Sequence, residues 1–374
     1  MIEAINIVSF DVPFPVNYGG VIDVFYKLKT FHEKGVKVHL HCFEYGRGIQ
    51  PELDKYCETV TYYKRKKSIL NSFSKLPFIV KSRVSNELKN NLLGNNYPIL
   101  FEGLHTCYLL QDKDLKNRIK IYRESNIEHE YYGFLAKSER NLIKKIYLKK
   151  EAKKLKEFEE IVLHATHTFL VSKSDYHYFE SKYPENSNHF IPSFHSGTEV
   201  NVKKGKGEFV LYHGNLSVSE NYEAAIYLIR NIFSVLEIPF IIAGLNPPDF
   251  LEMEIKKHDH ISLIKSPSEQ KMKELIENAQ INLLHTSQST GLKLKLLNVL
   301  YNGGFCIVNS NMVKGTTLSS ICEVEDNTTK MIVLIKELMD IEFPVSEIEN
   351  RKKVLSENYS NEVNFGRIIN VLKN

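Results

Sequence analysis

Two doubly wound α/β domains facing a cleft are predicted for this chain, and three observations predict them. The chain has 374 residues, too many for one compact core and comfortable for two. Short β-branched runs alternate with longer helical patterns, which is how βα units around a parallel sheet read. The alternation runs through two series separated by one stretch without apolar period, so the architecture repeats once although no sequence repeat does.

The bulk composition fits that class. Apolar residues make up 43% and charged residues 25%, the balance of a soluble globular protein. No apolar run reaches membrane-spanning length. The opening MIEAINIVSF lacks a basic segment before its apolar run and reads as a first strand, not a secretory signal. Cys42, Cys57, Cys107, Cys306 and Cys322 are scattered and odd in number, without Cys-x-x-Cys spacing. They read as reduced thiols of a cytoplasmic protein. A net charge of +4 does not imply a nucleic-acid partner.

In the first series the expected strands are Ile5–Ser9, Val36–His41, Thr59–Tyr63, Ile99–Glu102, Ile119–Tyr122, Thr168–Ser172 and His189–Ile191. One long helix is expected from Glu130 to His164. The stretch Pro192–Gly207 is rich in Ser, Gly and Lys and reads as an interdomain linker. The second series has strands at Phe209–Tyr212, Phe240–Ala243, Ile261–Ile264, Ile281–His285 and Phe305–Val308. A last amphipathic helix covers Ser360–Lys373. The domains are therefore expected at 1–195 with the C-terminal helix 360–374, and at 196–359.

Ligands of such sheets bind beyond the carboxyl ends of the strands, so the loops there carry the chemistry. After the first strand, Pro13 and Pro15 stiffen a loop, and Gly19-Gly20 opens a helix. Glycine lets a phosphate or sugar approach the free N–H groups of a helix start; a plain βα turn is the alternative. After Ile281–His285, the polar run Ser287-Gln288-Ser289-Thr290-Gly291 feeds a helix with Lys293 in its first turn. Ser289, Thr290 and the Gly291 backbone offer donors and Lys293 a cation, a set suited to a diphosphate. Lys295 is two residues on and does not share a helix face with Lys293, so Lys293 alone is expected to enter the cleft. Gly214-Asn215 and Gly244 end two further strands and offer backbone N–H groups in the same place.

These segments resemble retaining GT-B glycosyltransferases. Pro13-x-Pro15-x-x-Tyr18-Gly19-Gly20 resembles the family's first loop. Tyr212-His213-Gly214-Asn215-Leu216-Ser217, Ala243-Gly244, and Gly291-Leu292-Lys293-Leu294-Lys295-Leu296-Leu297-Asn298 followed by Gly303-Gly304 resemble its donor-binding domain. Arg123–Tyr132 resembles a segment of bacterial members that build surface polysaccharides, and Asn358-Tyr359-Ser360 the crossover back to the first domain. The resemblance implies the GT-B fold, two Rossmann-like domains facing a cleft, and transfer of a sugar from a nucleotide-diphosphate sugar to a glycan or lipid-linked acceptor, with retention. It also shows departures. The positions of a common Glu-x7-Glu pair hold Thr290 and Asn298, that of a common histidine holds Ser125, and Ser219 and Glu220 stand where a basic residue is usual.

Glycosyl transfer requires a stabilised leaving diphosphate and an oriented acceptor hydroxyl. Lys293 is the candidate for the first task, with Gly19, Gly20, Gly214, Asn215, Gly244, Ser289, Thr290, Gly291 and Asn298 as donor-binding residues. Glu128 and His129 are the acceptor-side candidates; His105 is a third, more simply read as an ordinary strand-end histidine. No Asp-x-Asp stands in a suitable loop, so neither a catalytic metal nor a cofactor is expected. Lys64–Lys67 and the lysines at 144–156 suit an anionic membrane surface or are a solvated face. Two other functions compete with transfer: a sugar-nucleotide epimerase, and a non-catalytic protein that binds a nucleotide or a partner.

Overall fold

The computed structural model describes residues 2–373. Seven strands come first: β1 (Ala4–Ser9), β2 (Lys37–Glu44), β3 (Thr59–Lys64), β4 (Ile99–Glu102), β5 (Lys120–Arg123), β6 (His167–Leu170) and β7 (Ser187–Phe190). They form one parallel sheet in the order β3-β2-β1-β4-β5-β6-β7. Then come β8 (Val210–Gly214), β9 (Phe240–Gly244), β10 (Ile261–Lys265), β11 (Ile281–Leu284), β12 (Phe305–Val308) and β13 (Glu323–Val324). These make a second parallel sheet, ordered β10-β9-β8-β11-β12-β13. The direction of strand addition reverses between β1 and β4 and again between β8 and β11, and at such points an open α/β sheet leaves a crevice.

Helices cover both faces of each sheet, so consecutive strand residues are buried on opposite sides. Leu100, Ile121 and Phe169 pack with Val24 and Leu28 of the helix Gly19–Glu33, whereas Phe101, Tyr122 and Leu170 pack with Leu155 and Phe179. In the second sheet Tyr212, Leu283 and Ile307 face one layer, and Leu211, Leu284 and Val308 face the other. Every strand read from the sequence is present within a few residues. The added one, β13, is two exposed residues and has no apolar pattern to betray it.

The single helix expected over 130–164 is instead a hairpin, Glu128–Ser138 and Leu142–Phe158, followed by the 3-10 turn Glu159–His164. Asn141 makes the break. Its side chain accepts the Lys144 N–H at 3.0 Å and starts the second helix, as asparagine does at an N-cap. The Glu139 carboxylate accepts the Asn141 N–H at 2.9 Å and pairs with the Lys144 ammonium at 2.7 Å.

Residues 191–209 hold no helix or strand, yet they are anchored. The His195 N–H donates to Asn361 Oδ1 (3.0 Å), the Asn361 amide donates to the His195 carbonyl (2.8 Å), and His195 Nε2 lies 2.8 Å from the Tyr359 carbonyl oxygen. Both chain crossings between the sheets are thus stitched at one point. From there the helix Asn361–Lys373 returns to the first sheet and adds Phe365, Ile368, Ile369 and Leu372 to its core, with Phe365 edge-on to Phe31 at 5.0 Å. Phe365→Ala is therefore expected to cost about 3 kcal/mol of stability, measured by urea denaturation followed by circular dichroism; a loss below about 1 kcal/mol would remove this helix from the first core.

Candidate active site

A cavity of about 1260 Å³ lies between the carboxyl ends of the two sheets. Four helices that open onto it, Gly19–Glu33, Glu128–Ser138, Ser219–Leu228 and Leu294–Asn302, have no side-chain cap. A fifth, Glu269–Asn278, also reaches it and is capped by Ser268, and Ser85, Asn141, Ser172 and Asn327 cap helices elsewhere. An uncapped helix start keeps N–H donors and a partial positive charge available to a ligand.

The loop after β1 is held by Asp11. Its carboxylate accepts from the Val12 N–H (2.9 Å) and the Tyr18 hydroxyl (2.5 Å) and pairs with Arg47 (3.2 Å). Gly20 sits against Phe10, where a Cβ would lie 2.4 Å from the ring. Across the cleft, a Cβ on Gly19 would stand 4.0 Å from Leu294. The first-domain glycine pair and the second-domain helix start therefore face each other.

Beneath this loop is a buried charge cluster. Lys27 Nζ pairs with Glu102 at 2.5 Å and Asp23 at 3.4 Å; Arg123 Nε pairs with Asp23 at 3.3 Å. Asp23 also accepts the Phe194 N–H at 2.6 Å, and Arg123 donates to the carbonyls of Ile191 and Pro192. Burial pushes the Asp23 carboxyl up, but Arg123 and Lys27 outweigh it and hold the group below the usual range. Burial wins at Glu102, which is raised. Asp23 and Glu102 both reach the cavity wall. The sequence carried a signal that the helix buries charge, though none for Glu102: Asp23 and Lys27 lie four apart among Val24, Leu28 and Phe31, on the apolar face of the helix.

On the acceptor side, Glu128 and His105 line the cavity, with the His105 Nδ1 3.8 Å from the carboxylate. Burial raises the Glu128 carboxyl to about 8, against a weaker opposing effect of Arg83. Burial, with Arg83 and Arg65, keeps His105 well below its ordinary value, and its Nδ1 has no hydrogen-bond partner. His105 thus stands in the cleft rather than as an ordinary strand-end histidine. His129 does not: one residue further round the helix, its ring turns away to Glu159 at 3.2 Å and lies against Tyr178. Ser125 and Asn126 reach the cavity, as do Tyr131 and Tyr132.

On the second-domain side both lysines enter the cavity, contrary to the expectation of one. The helix begins at Leu294 and Lys293 precedes it with extended backbone (φ −83°, ψ 99°), so helical spacing does not separate the two side chains. Lys293 Nζ donates to the Thr290 carbonyl at 2.5 Å, and Lys295 Nζ donates to Asn221 at 3.2 Å. Burial lowers Lys293 to about 8, with Glu220 and Asp175 opposing, and lowers Lys295 as well. His213, missed from the sequence, lines the same wall. Its Nε2 is buried without a partner, and burial together with Lys295 brings it to about 3. Gly214, Asn215, Gly244 and Asn298 also line the cavity. Gly244 has a structural duty too, because a Cβ there would meet the Gly214 carbonyl oxygen at 1.9 Å.

Ser289, Thr290 and Gly291 lie outside the lining. Their loop is an interdomain contact. The Gly291 N–H is taken by Asp175 at 2.8 Å, and a Cβ on Gly291 (φ +69°) would meet Asn126 at 2.5 Å. Gln288, from the same loop, donates to Asn126 at 3.1 Å and does line the cavity. Among the described residues, no group of three or more His, Cys, Asp or Glu is placed to hold a metal ion.

Two measurements follow from this geometry. Lys27→Met strands Glu102 and is expected to cost about 3–5 kcal/mol; adding Glu102→Gln should return part of it, and a neutral single variant would contradict the cluster. Glu128 has its folded pKa raised, so its contribution is present at low pH and is lost as pH rises from about 5 through about 8. Glu128→Gln should therefore overtake wild type in urea midpoint above pH 8; parallel pH profiles would refute the buried carboxyl.

No family model matches the chain. An uncharacterized 44.6 kDa protein in the cps region of Klebsiella pneumoniae is 28% identical over 335 residues, covering 83% of this chain and 84% of that protein. Among solved structures, Anabaena HepE with UDP and glucose superposes at a TM-score of 0.68 with 9% identity and covers 100% of both chains. TarM of S. aureus, in complex with fondaparinux, alpha-GlcNAc-glycerol and UDP, gives 0.66 at 11% identity over 100% of both. A glycosyltransferase of Rickettsia africae gives 0.65 at 13% identity, over 99% of this chain and 98% of that one. At these identities the likeness is one of fold. Two parallel sheets with their carboxyl ends on one cleft, matched along the whole chain, give this protein the GT-B fold of glycosyltransferases.

Proposed function

We propose that this chain is a glycosyltransferase that moves a sugar from a nucleotide-diphosphate sugar to a glycan or lipid-linked acceptor in surface-polysaccharide assembly. One observation carries the reading: Lys293, Lys295 and the uncapped starts of the helices at Gly19, Ser219 and Leu294 converge on one cavity. That is a site for a dianionic leaving group. The UDP complexes of HepE and TarM support UDP as the nucleotide, and the cps-region relative supports the polysaccharide setting. We propose a cytoplasmic site of action, with the acceptor met at an anionic membrane surface. No helix among the described residues is long and apolar enough to cross a membrane.

The roles divide by wall. Gly19, Gly20, Gly214, Asn215 and Gly244 bring backbone to the donor, Asn298 offers a hydrogen bond to a sugar hydroxyl, and the two lysines balance the diphosphate, so no metal is required of the reaction. In the retaining course we propose, the acceptor oxygen bonds to the anomeric carbon as the bond from that carbon to the diphosphate oxygen breaks. The departing phosphate oxygen takes the acceptor proton, and the Glu128 carboxyl orients the hydroxyl. A second reading, a nucleotide-binding protein without turnover, is favoured by Thr290 and Asn298 where the resembled family has carboxylates.

Calorimetry with UDP, GDP, ADP and CMP and their sugar conjugates tests the site. UDP should bind best, Lys293→Ala should weaken it at least about tenfold, and wild-type affinity should fall as pH rises through about 8, where Lys293 loses its charge. Absence of nucleotide binding by folded protein would overturn the reading; binding without turnover across an acceptor panel would select the second one. The anomeric configuration of the product by NMR tests retention.

A further inference from the structure

Large apolar side chains are exposed singly over most of the described surface, but one group is not. Leu142, Ile143 and Ile146 are 74%, 82% and 56% exposed and share the first two turns of the helix Leu142–Phe158. Further along the same face, at helical spacing from Leu142 and Ile146, come Lys149, Lys150 and Lys153, all exposed. The helix forms its ion pairs elsewhere, Lys144 with Glu139 and Lys154 with the buried Glu151. Among the described residues none of these three lysines forms an ion pair; the exposed Glu157 lies one turn beyond Lys153. Phe73, 84% exposed, flanks the basic half, where Lys154 donates to the Ser72 carbonyl at 2.8 Å.

This surface is held rigidly beside the cleft. The partner helix of the hairpin, Glu128–Ser138, supplies Glu128, Tyr131 and Tyr132 to the cavity wall. The hairpin turn crosses to the second domain through Arg140, which donates to Glu223 at 2.6 Å and lies 4.5 Å from the Phe250 ring centroid. Aliphatic side chains at the tip gain nothing from water. Apolar tips continued by unpaired lysines match the chemistry of an anionic bilayer: the tips enter the boundary between headgroups and acyl chains, and the ammonium groups meet lipid phosphates.

We propose that the helix Leu142–Phe158 is a membrane-docking element whose aliphatic tip and lysine face seat the protein on an anionic phospholipid surface with its cleft beside the bilayer. The docking stands on this surface alone; only its consequence, that a lipid-linked acceptor reaches Glu128 from the membrane, rests on the sugar-transfer reading.

The chain contains no tryptophan, so Ile143→Trp makes a single reporter at the tip. Val345→Trp, at a position 72% exposed on a second-domain helix, is the control. With vesicles of phosphatidylglycerol in phosphatidylcholine, the emission of I143W should shift to the blue and be quenched by brominated acyl chains. Phosphatidylcholine alone should have little effect, salt should weaken the response, and V345W should not respond. In sedimentation, L142S/I143S/I146S should lower vesicle partitioning at least about tenfold. An I143W spectrum unmoved by anionic vesicles, or moved no more than that of V345W, overturns the proposal. A shift that follows protein concentration without lipid also overturns it and assigns the face to a second copy of the chain. The assay holds no nucleotide, so its failure is separate from a failure of UDP binding.

Discussion

The buried cluster of Asp23, Lys27, Glu102 and Arg123 is the constraint on which the rest of the site depends. Two carboxylates and two cations lie at the carboxyl end of the first sheet, and they come from three elements. Lys27 and Asp23 belong to the helix that opens on the cavity, Glu102 ends β4, and Arg123 ends β5. Removing such charges from water is costly, and only close, mutually satisfied geometry offsets it. The cluster therefore tolerates one arrangement of these elements. Through the Phe194 N–H and the Ile191 and Pro192 carbonyls it also fixes where the chain leaves the first sheet. The uncapped glycine pair at Gly19 is aimed by this frame.

A second constraint is close backbone approach between the domains. Gly291 meets Ser125 and Asn126, and Gly315 meets Ser174, each at distances where a Cβ would collide. The Gly291 N–H bonds to Asp175, and the Lys173 N–H bonds to the Gly315 carbonyl. Thr290-Gly291 is therefore taken up in the contact between the domains, whereas Gln288 and the helix start just beyond the loop face the ligand space. Function moves by three or four residues along the chain because the loop has this structural task.

The electrostatics of the second-domain wall suit the departures from the resembled family. Glu220 stands where a basic residue is usual, and it accepts from Thr286 while opposing the loss of charge on both buried lysines. Thr290 and Asn298 stand where carboxylates are usual. Lys293 and Lys295, at the start of the helix Leu294–Asn302, supply the cations of this wall.

Periodicity and chain length were enough to read the two parallel sheets, their helical layers, the returning C-terminal helix and the loops at the strand ends, because each follows from local apolar pattern and from glycine or proline at a turn. On that basis Gly19, Gly20, Gly214, Asn215, Gly244 and Lys293 belong at the cleft, and by the family resemblance Glu128 and Asn298 do; all eight line it. Tertiary structure alone decided the remainder. His129 turned to Glu159, and Lys295 joined Lys293, because side-chain direction depends on where a helix starts, which spacing leaves uncertain by a residue. The hairpin at Asn141 required a cap and an ion pair that compete with a continuous helical pattern. His213, Asp23 and Glu102 became site residues only through the crossing of separate chain segments. Local sequence reports which groups a segment buries; which buried groups meet is settled by packing between segments far apart in the chain.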